Sequence, residues 1–426
     1  MESFHLWTIG CQMNKADSQR LESALEQLGL RSVDQASDAD LIVLNSCVVR
    51  QQAEDKVVGN LTSMQPLKKQ RPDRVVALMG CMVGAKTDEL ARRFPYVDVF
   101  MRPQEYGPLL DLVGERLGLD WEGCVGSLAP SQPSVTCYVP IIHGCDLMCT
   151  FCIIPYRRGR QVSRPVAEVV EEVELLAARG VKEVTVLGQT VDAYGHDLPE
   201  KPDLADLLTC LNGVGGLERI RFLTSHPSFL SDNIIRAVAE LPKVCEHINL
   251  PVQAGDDEVL RRMRRPYTRD EYVELVGRIR DNIPGASLST DIIVGFPGET
   301  KEQYQRSLDL VSELRPDKVH CAAYSQRPGT IAGRTMEDDV PADEKVRRRV
   351  ELEQLQEAIL TETNRNMVGQ KIDILVEGQR KGKWEGRTRS NKLVYFQSER
   401  DHLGQLVNLD ITRATPWSLQ GELVQV

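Results

Sequence analysis

Three cysteines stand close together in the middle of this chain, in the segment Cys145-Asp146-Leu147-Met148-Cys149-Thr150-Phe151-Cys152. Thiolates are the usual ligands of iron–sulfur clusters, and three of them can bind three irons of a 4Fe–4S cubane. The motif offers no fourth cysteine, so the fourth iron would stay open for a substrate or a cofactor. A three-cysteine zinc site is the alternative, although zinc usually takes four ligands with paired CxxC spacing.

A second set of three cysteines, Cys11, Cys47 and Cys81, lies in the N-terminal part of the chain. Each directly follows a short apolar run that reads as a strand. The C-terminal ends of parallel strands meet at one sheet edge, so we expect these thiols to converge there. Gly10 and Gly80 would let the backbone approach a bulky group closely. The spacing predicts a second iron–sulfur cluster with an open iron, and three half-buried core cysteines are the alternative.

Strands and helices alternate in the part of the chain that carries the second cysteine set. Apolar runs at 4–9, 41–45 and 75–79 predict strands, with amphipathic helices at 17–28 and 51–67. This alternation is typical of βαβ units with right-handed crossovers. We therefore predict a parallel α/β sandwich domain over residues 1–118, followed by a Gly-, Ser- and Pro-containing linker at 123–134.

The alternation starts again in the central part, for which we predict a domain over residues 132–363. Strands are expected at 138–143, 183–187, 219–224, 247–251, 287–294 and 318–323, with helices at 166–179, 204–211, 232–241, 268–282 and 301–314. Six βα repeats predict a partial (β/α)6 barrel. Functional groups of such barrels lie on the loops that follow the strands, and the Cys145–Cys152 motif follows the first strand.

The C-terminal part, residues 364–426, has short β-rich stretches and follows a charged helix at 342–363. These stretches predict a small all-β barrel. The segment carries ten Lys and Arg against seven Asp and Glu, whereas the whole chain has a net charge of −10. Because binding follows the local field, the acidic total does not exclude a nucleic acid partner.

Length and composition exclude several classes of protein. The chain has 426 residues, of which 41% are hydrophobic and 27% charged, as in ordinary globular proteins of several domains. No apolar stretch is long enough to span a membrane, and the N-terminus lacks the pattern of a signal peptide. We therefore expect a cytoplasmic protein without a membrane partner, in which the eleven cysteines are not structural disulfides.

The cysteine motif after the first barrel strand resembles the radical S-adenosylmethionine (SAM) superfamily. The N-terminal three-cysteine domain and the β-barrel tail extend the resemblance to the methylthiotransferases, over nearly the whole chain. Gly10-Cys11-Gln12-Met13-Asn14 and Asn45-Ser46-Cys47-Val48-Val49-Arg50 are most similar to the tRNA branch of that family. Further matching stretches lie at 155–160, 163–165, 187–189, 224–227, 250–253 and 293–300. The tail resembles the RNA-binding TRAM domain.

The resemblance implies a reaction and its cofactors. Two 4Fe–4S clusters are expected, an auxiliary one on Cys11, Cys47 and Cys81 and a SAM-cleaving one on Cys145, Cys149 and Cys152. One SAM would give the 5′-deoxyadenosyl radical that activates C2 of isopentenyladenosine next to the anticodon of tRNA. A second SAM would methylate the sulfur that is transferred to this carbon. An electron donor such as flavodoxin or ferredoxin and a sulfur source are the further partners.

The resemblance also implies contacts outside the cysteines. Gly188 and Gln189 stand where the superfamily binds the amino group of SAM, and later loops are expected to contact its ribose and adenine, at Ser225, Gln253, Val294 and Glu299. Arg157, Arg158 and Arg160 are expected to contact RNA phosphates. A second arginine group, Arg261, Arg262, Arg264 and Arg265, is expected on a solvated helix face. Thr190 and Asp192 depart from the asparagines that are common in the family.

Two alternatives stay open at this point. A sister methylthiotransferase would act on threonylcarbamoyladenosine in tRNA or on a ribosomal protein, although the Gln12-Met13-Asn14 sequence argues against both. A different class would be an iron–sulfur protein that binds RNA or transfers electrons. Two sets of only three cysteines argue against pure electron transfer, which normally uses four ligands per cluster.

Overall fold

The computed structural model describes residues 1–48, 51–84 and 86–424, which form two compact units. The first unit comprises residues 1–132, 138–147 and 153–162, and the second comprises 133–137, 148–152 and 163–426. The predicted domain bounds at 118, 132 and 363 stay predictions.

The first unit is built on a five-stranded parallel sheet in the order β2-β1-β3-β4-β5. Its strands are β1 (Ser3–Thr8), β2 (Arg31–Ser32), β3 (Leu41–Ser46), β4 (Val75–Gly80) and β5 (Val99–Met101). Its helices are α1 (Gln12–Gln27), α2 (Gln51–Gln70), α3 (Asp88–Arg93), α4 (Gly107–Leu117) and α5 (Trp121–Cys124).

Both faces of this sheet are covered. Leu41 and Val43 of β3 pack into the core on one face, whereas Ile42 and Leu44 pack into the core on the other. Every residue of β3 and β4 is buried, as expected of central strands in a doubly covered parallel sheet. The predicted alternation of strands and helices is therefore present. In this part of the chain, sequence patterns missed the short strands β2 and β5 and the helices α3, α4 and α5.

The chain then forms β6 (Thr136–Pro140), β7 (Ile142–His143), α6 (Ile154–Arg158) and β8 (Val162–Ser163). The second unit continues with strands that form two three-stranded sheets, in the orders β10-β9-β6 and β11-β12-β13. The strands are β9 (Glu183–Leu187), β10 (Arg219–Phe222), β11 (His247–Asn249), β12 (Ser287–Val294) and β13 (Lys318–Ala323). β9 pairs with β10 in parallel. In the second sheet, β12 pairs in parallel with β11 on one side and with β13 on the other. A parallel bridge between Ile220 and Val244 follows the barrel path between the two sheets.

Helices alternate with these strands as the sequence predicted. They are α7 (Val166–Ala178), α8 (Leu204–Asn212), α9 (Asp232–Glu240), α10 (Asp257–Arg262), α11 (Arg269–Asn282), α12 (Lys301–Leu314), α13 (Ile331–Thr335) and α14 (Ala342–Arg365). Side chains set where several begin. Thr268 and Glu271 form a capping box at α11, and Thr300 and Gln303 form one at α12, which satisfies backbone N–H groups that the first turn leaves free.

The C-terminal residues form a closed five-stranded barrel in the order β14-β15-β16-β18-β17. Its strands are β14 (Lys371–Arg380), β15 (Lys383–Arg387), β16 (Leu393–Phe396), β17 (Leu406–Ala414) and β18 (Leu419–Leu423). Trp384 and Phe396 pack in its core. Trp417 is 53% exposed and lies against the Lys318 ammonium, 4.3 Å from the ring centroid. Of the aromatic residues in this tail, Trp384 and Phe396 are thus buried, Tyr395 is partly buried and Trp417 is exposed.

Arginines join the small barrel to the strands of the larger one within the second unit. Arg221 of β10 donates to Glu183 at 2.7 Å and to the carbonyl oxygens of Thr388 and Arg389, each at 2.6 Å. In the opposite direction, Arg389 donates to Glu246 and to the carbonyl oxygen of Val244. The Arg221 side chain is 3% exposed. The buried pair of Arg221 and Glu183 and the partly exposed pair of Arg389 and Glu246 thus lie at this junction.

No helix in the described part of the chain is long and apolar enough to cross a membrane.

Replacing Arg221 by methionine should destabilise the second unit strongly. The change leaves the buried Glu183 carboxylate without its partner, and the loss of one member of such a pair typically costs about 3–5 kcal/mol. Arg236→Met is the matched control, because Arg236 is exposed on α9 and its loss should change the free energy of unfolding by roughly 0.5 kcal/mol or less. Chemical unfolding of both variants measures the difference, and equal stabilities would contradict the importance of the junction.

Candidate functional site

The three N-terminal cysteines follow three neighbouring strands of the first sheet. β1, β3 and β4 lie side by side, with Thr8 opposite Asn45 and Ser46 opposite Gly80. Cys11, Cys47 and Cys81 come directly after these strand ends. The parallel register therefore places the three cysteine loops along one edge of the sheet, as the sequence predicted.

A network of side-chain amides and hydroxyls holds these loops together. The Asn14 amide donates to the Asn45 side-chain oxygen at 2.9 Å and to the Ser46 carbonyl oxygen at 2.8 Å. The Cys11 thiol donates to the Asn14 side-chain oxygen at 3.3 Å. On the next loop, the backbone N–H of Cys81 donates to the Ser46 carbonyl oxygen at 2.9 Å. Residues of all three loops thus share hydrogen-bond partners.

Two glycines allow these loops to approach one another. Gly10 has φ +139°, and a Cβ atom there would lie 2.5 Å from the Cβ of Cys47 and 3.2 Å from its sulfur. Gly80 has φ +102°, and a Cβ atom there would lie 2.4 Å from the Ser46 carbonyl oxygen. Side chains at either position would both strain the backbone and displace the cysteine loops.

The three thiols have different surroundings. Cys11 is exposed and occupies the N-cap of α1. Cys47 and Cys81 are buried. Burial raises the pKa of the Cys81 thiol, and the nearby Arg158 guanidinium opposes this rise. Arg158 therefore supplies a positive charge that acts on Cys81.

Arg158 is buried in the first unit with an incomplete set of partners. Its side chain is 2% exposed, and its Nη2 donates to Asp17 at 3.0 Å. Its Nε and Nη1 have no hydrogen-bond partner among the described residues. A buried donor without a partner costs free energy, so these two groups fit an anionic neighbour beside the cysteines. These buried surroundings do not favour a contact between Arg158 and RNA, which stays a prediction.

The cysteine loops do not form the ligand set of a single metal ion. Among the described residues, no three His, Cys, Asp or Glu side chains are grouped so as to hold one metal ion. The three thiolates of a cubane bind three different irons, so they stand farther apart than the ligands of one ion. The neighbouring loops, the glycine cradle and the unpaired Arg158 donors fit an anionic thiolate cluster of that kind.

The second cysteine motif is anchored at both ends. In the first unit, the Cys145 N–H donates to the Gly159 carbonyl oxygen at 3.2 Å, and Gly144 has φ +64°. In the second unit, the Thr150 N–H donates to Met263 O at 3.1 Å, and its hydroxyl donates to Arg262 O at 2.9 Å. Between these anchors, Met148 is 41% exposed.

Arg265 is a site residue that sequence reasoning missed. It was expected on a solvated helix face, but it is buried and its Nη1 lies 3.6 Å from the Cys149 sulfur. The same guanidinium donates from Nε to the Tyr267 hydroxyl at 2.6 Å and from Nη2 to Pro251 O at 2.8 Å. The expectation was wrong for Arg265 because one of its partners, Cys149, lies 116 residues away in the chain.

The residues predicted to contact SAM lie on loops after successive barrel strands. Gly188 and Gln189 follow β9, and the Gly188 carbonyl oxygen accepts from the Thr224 hydroxyl at 2.8 Å. Ser225 follows β10, and its hydroxyl is buried without a hydrogen-bond partner among the described residues. Gln253 has φ +75° and pairs through its backbone with β12.

Val294 and Glu299 bound the turn after β12. Val294 is fully buried at the end of that strand. Glu299 accepts from the Arg348 guanidinium at 2.7 Å and is also buried. Its carboxylate therefore already has a cationic partner within the protein, and its contact with SAM stays a prediction.

Two neighbours of Ser225 also carry unpaired polar atoms. Asp192 Oδ1 and His226 Nε2 are buried without hydrogen-bond partners in the described part of the chain. Burial raises the pKa of Asp192 to about 8, and burial together with Arg265 lowers the pKa of His226 to about 3. Both are therefore uncharged at neutral pH. His226 Nδ1 accepts from the Ser228 N–H, which assigns its own proton to the unpaired Nε2.

Three unpaired polar atoms of the described residues thus lie on the loops after β9 and β10. The backbone N–H of His226 donates to Asp192 Oδ2 at 2.7 Å, which links the two loops directly. Hydroxyl, imidazole N–H and carboxylic acid groups are suited to a polar ligand such as SAM. The sequence had indicated Ser225 as a SAM contact, and the departure at Asp192 from the family's asparagine marked a second of these residues.

The other two predicted RNA contacts have different exposures. Arg160 is 89% exposed and pairs with Asp146 at 2.9 Å. Arg157 is partly buried, with its Nη1 close to Gly84. Both stay predictions, and Arg160 is the one whose guanidinium is open to a large ligand.

The chain matches three known families along its length. Residues 139–311 match the radical SAM superfamily, residues 3–102 match a family described as "Uncharacterized protein family UPF0004", and residues 365–424 match the TRAM domain. Among solved structures, the radical SAM methyltransferase TsrM from Kitasatospora setae has a TM-score of 0.59 at 16% identity. That match covers 78% of this chain and 75% of the other. The fold and the cysteine loop therefore define a radical SAM enzyme, whose cofactors include SAM and an iron–sulfur cluster.

Curated relatives match over nearly the whole chain. A protein of Herpetosiphon aurantiacus named tRNA-2-methylthio-N(6)-dimethylallyladenosine synthase is 50% identical to this chain. The match covers 99% of this chain and 97% of the relative. The one in Roseiflexus sp. is 49% identical, with coverages of 99% and 90%, and one in Dehalococcoides mccartyi is 48% identical, with coverages of 100% and 99%. The chain belongs to this family of tRNA-2-methylthio-N(6)-dimethylallyladenosine synthases.

Replacing Asp192 by asparagine should stabilise the protein at alkaline pH and leave it little changed in acid. Between pH 3.8 and about 8, folded Asp192 keeps a proton that the unfolded chain releases. Stability is therefore lost as the pH rises through this range, by roughly 4 kcal/mol at neutral pH. Asparagine removes this cost. We expect the gain in Tm to grow between about pH 5 and about pH 8.

Asp281→Asn provides the matched control, because Asp281 is exposed on α11. Thermal unfolding of both variants over the same pH series checks the prediction. A gain for Asp192→Asn that is the same at every pH would show that the Asp192 carboxyl is ionised in the folded protein.

Proposed function

We propose that this protein transfers a methylthio group to C2 of isopentenyladenosine next to the anticodon of tRNA. The reaction is proposed to use two SAM molecules and two 4Fe–4S clusters. The observation that carries the proposal is the placement of Cys11, Cys47 and Cys81 on three adjacent strand ends, in a chain that also contains the Cys145–Cys152 motif. The names of the full-length relatives support the substrate.

The protein needs a cofactor because the target is an unactivated aromatic C–H bond, which no side-chain base deprotonates readily. When bound, the SAM-cleaving cluster and SAM supply the radical that activates this carbon. Cys145, Cys149 and Cys152 are proposed to hold that cluster, and Arg265 places a buried positive charge beside Cys149. Ser225 and His226 are proposed to donate hydrogen bonds to SAM through their unpaired hydroxyl and Nε2–H groups.

The auxiliary cluster is proposed to be held by Cys11, Cys47 and Cys81, on the network around Asn14 and Ser46. RNA binding is proposed for the C-terminal barrel, where Trp417 has an exposed face, and for Arg160. An external electron donor such as flavodoxin or ferredoxin and a sulfur source are further proposed partners. We also propose that the enzyme works in the cytoplasm, where its tRNA substrate is found.

The direct test is an anaerobic assay with reconstituted protein, dithionite, SAM and isopentenylated tRNA. We expect 2-methylthio-isopentenyladenosine in the digested nucleosides, with 5′-deoxyadenosine as the product of SAM cleavage, both measured by mass spectrometry. tRNA that lacks the isopentenyl group and tRNA that carries threonylcarbamoyladenosine are the substrate controls. Methylthiolation of the threonylcarbamoyl substrate alone would assign the protein to the sister activity.

Replacing Cys11, Cys47 and Cys81 together by alanine should halve the iron content, from about eight to about four per chain. Methylthiolation should be lost, whereas some SAM cleavage should remain because the Cys145–Cys152 motif is intact. Iron analysis and the two product assays measure these effects. The matched control is Cys124→Ala with Cys210→Ala, because both of these thiols are exposed and lie outside the two motifs. An iron content that stays near eight in the triple variant would refute the auxiliary site.

A further inference from the structure

We propose that Arg158, held in place by Asp17, is a positioning residue for the auxiliary cluster and raises its reduction potential through N–H donation to cysteine sulfur. This inference rests on the proposed function, because it assumes that Cys11, Cys47 and Cys81 hold a cluster. It adds a residue from outside the cysteine loops, and it gives that residue a role different from contact with RNA.

The ion pair between Arg158 and Asp17 fixes the guanidinium inside the first unit. The two side chains are 2% and 0% exposed, and their closest atoms are 3.0 Å apart. Asp17 lies on α1, the helix that Cys11 caps. Because a buried ion pair is costly to dismantle, the Arg158 side chain stays beside the cysteines rather than moving toward solvent.

The surroundings of the Arg158 guanidinium include two of the three cysteines. The positive charge of Arg158 acts on Cys81 and Cys11, and Cys81 is within the range of a side-chain contact. Nε and Nη1 of the guanidinium are buried and unpaired among the described residues. Asp17 therefore satisfies one edge of the guanidinium and leaves other N–H groups for sulfur. N–H groups that point at cluster sulfurs are a recognised determinant of reduction potential.

Gln104 and His143 also lie near this ion pair within the first unit. Gln104 lies beside the Asp17 carboxyl, and its amide nitrogen is 2.6 Å from His143 Nδ1. Gln104 has φ +68°, a conformation that costs free energy in a residue other than glycine. His143 precedes the Cys145–Cys152 motif and Arg158 follows it. Both residues lie in the first unit together with Asp17.

The direction of the effect follows from charge. Reduction adds an electron to an already anionic cluster, and a nearby cation stabilises the reduced form more than the oxidised form. Solvent and salt screen this interaction little, because Arg158 is buried. Loss of the cation should therefore lower the reduction potential.

The test isolates the auxiliary cluster in full-length protein. Cys145, Cys149 and Cys152 are replaced by alanine, so that the only cluster expected is the auxiliary one, and its midpoint potential is measured by anaerobic titration followed by electron paramagnetic resonance. Adding Arg158→Gln should shift the reduction equilibrium at least tenfold toward the oxidised form, a fall of about 59 mV for one electron. The matched control is Lys15→Gln, which removes a positive charge from the exposed side of α1, the helix that carries Asp17. This variant should leave the potential unchanged.

A conservative variant and a paired variant keep the test independent of folding. Arg158→Lys keeps the charge, so it should restore part of the potential. Combining Asp17→Asn with Arg158→Gln leaves no buried carboxylate unpaired, and its potential should still fall because the charge of Arg158 acts on Cys81 more strongly than that of Asp17. If Arg158→Gln does not fold, the potential of this paired variant decides.

The outcomes separate the two proposals. If the cysteine-replaced parent binds no iron, the auxiliary site and this inference both fail. If the parent binds about four irons per chain and the Arg158 variants keep its potential, the auxiliary site stands and the inference is overturned. A fall that Lys15→Gln does not reproduce supports the role of Arg158.

Discussion

Parallel pairing of neighbouring strands is the constraint on which the chemistry of this protein depends. In the first unit it aligns the ends of β1, β3 and β4, so that three cysteines far apart in sequence follow one sheet edge. In the second unit it aligns the loops after β9 and β10, which carry the unpaired atoms of Asp192 and His226. A shift of register by one residue would change which side chains leave the sheet at these edges.

Sequence patterns predicted the strands best where apolar or β-branched residues are concentrated. The predicted bounds of β9, β12 and β13 agree with the structure, because each strand is an apolar or β-branched run that ends at a clear boundary. β15 was missed, because its sequence, Lys383 to Arg387, is polar and alternates only weakly. It is a strand because of its antiparallel partners β14 and β16, which no local pattern could show.

The same limit applies to the candidate site. The six motif cysteines could be named from spacing, because chain topology alone places their loops after strands. The burial of Arg158 and Arg265 could not be predicted in this way. Arg158 pairs with an aspartate 141 residues away, and Arg265 lies beside a cysteine 116 residues away. A local sequence of arginines gives no information about partners at such separations.

The arginine junction of the second unit has a consequence for how a large substrate is held. α14 leads directly into the C-terminal barrel, and Asn364 near its end donates to the Thr415 and Pro416 carbonyl oxygens. Together with Arg221 and Arg389, this contact fixes the small barrel on the large one by side-chain bonds rather than by a tether. The small barrel therefore has a fixed position relative to the strands of the second unit, and the RNA-binding surface proposed on it lies at a set distance from the loops after β9 and β10.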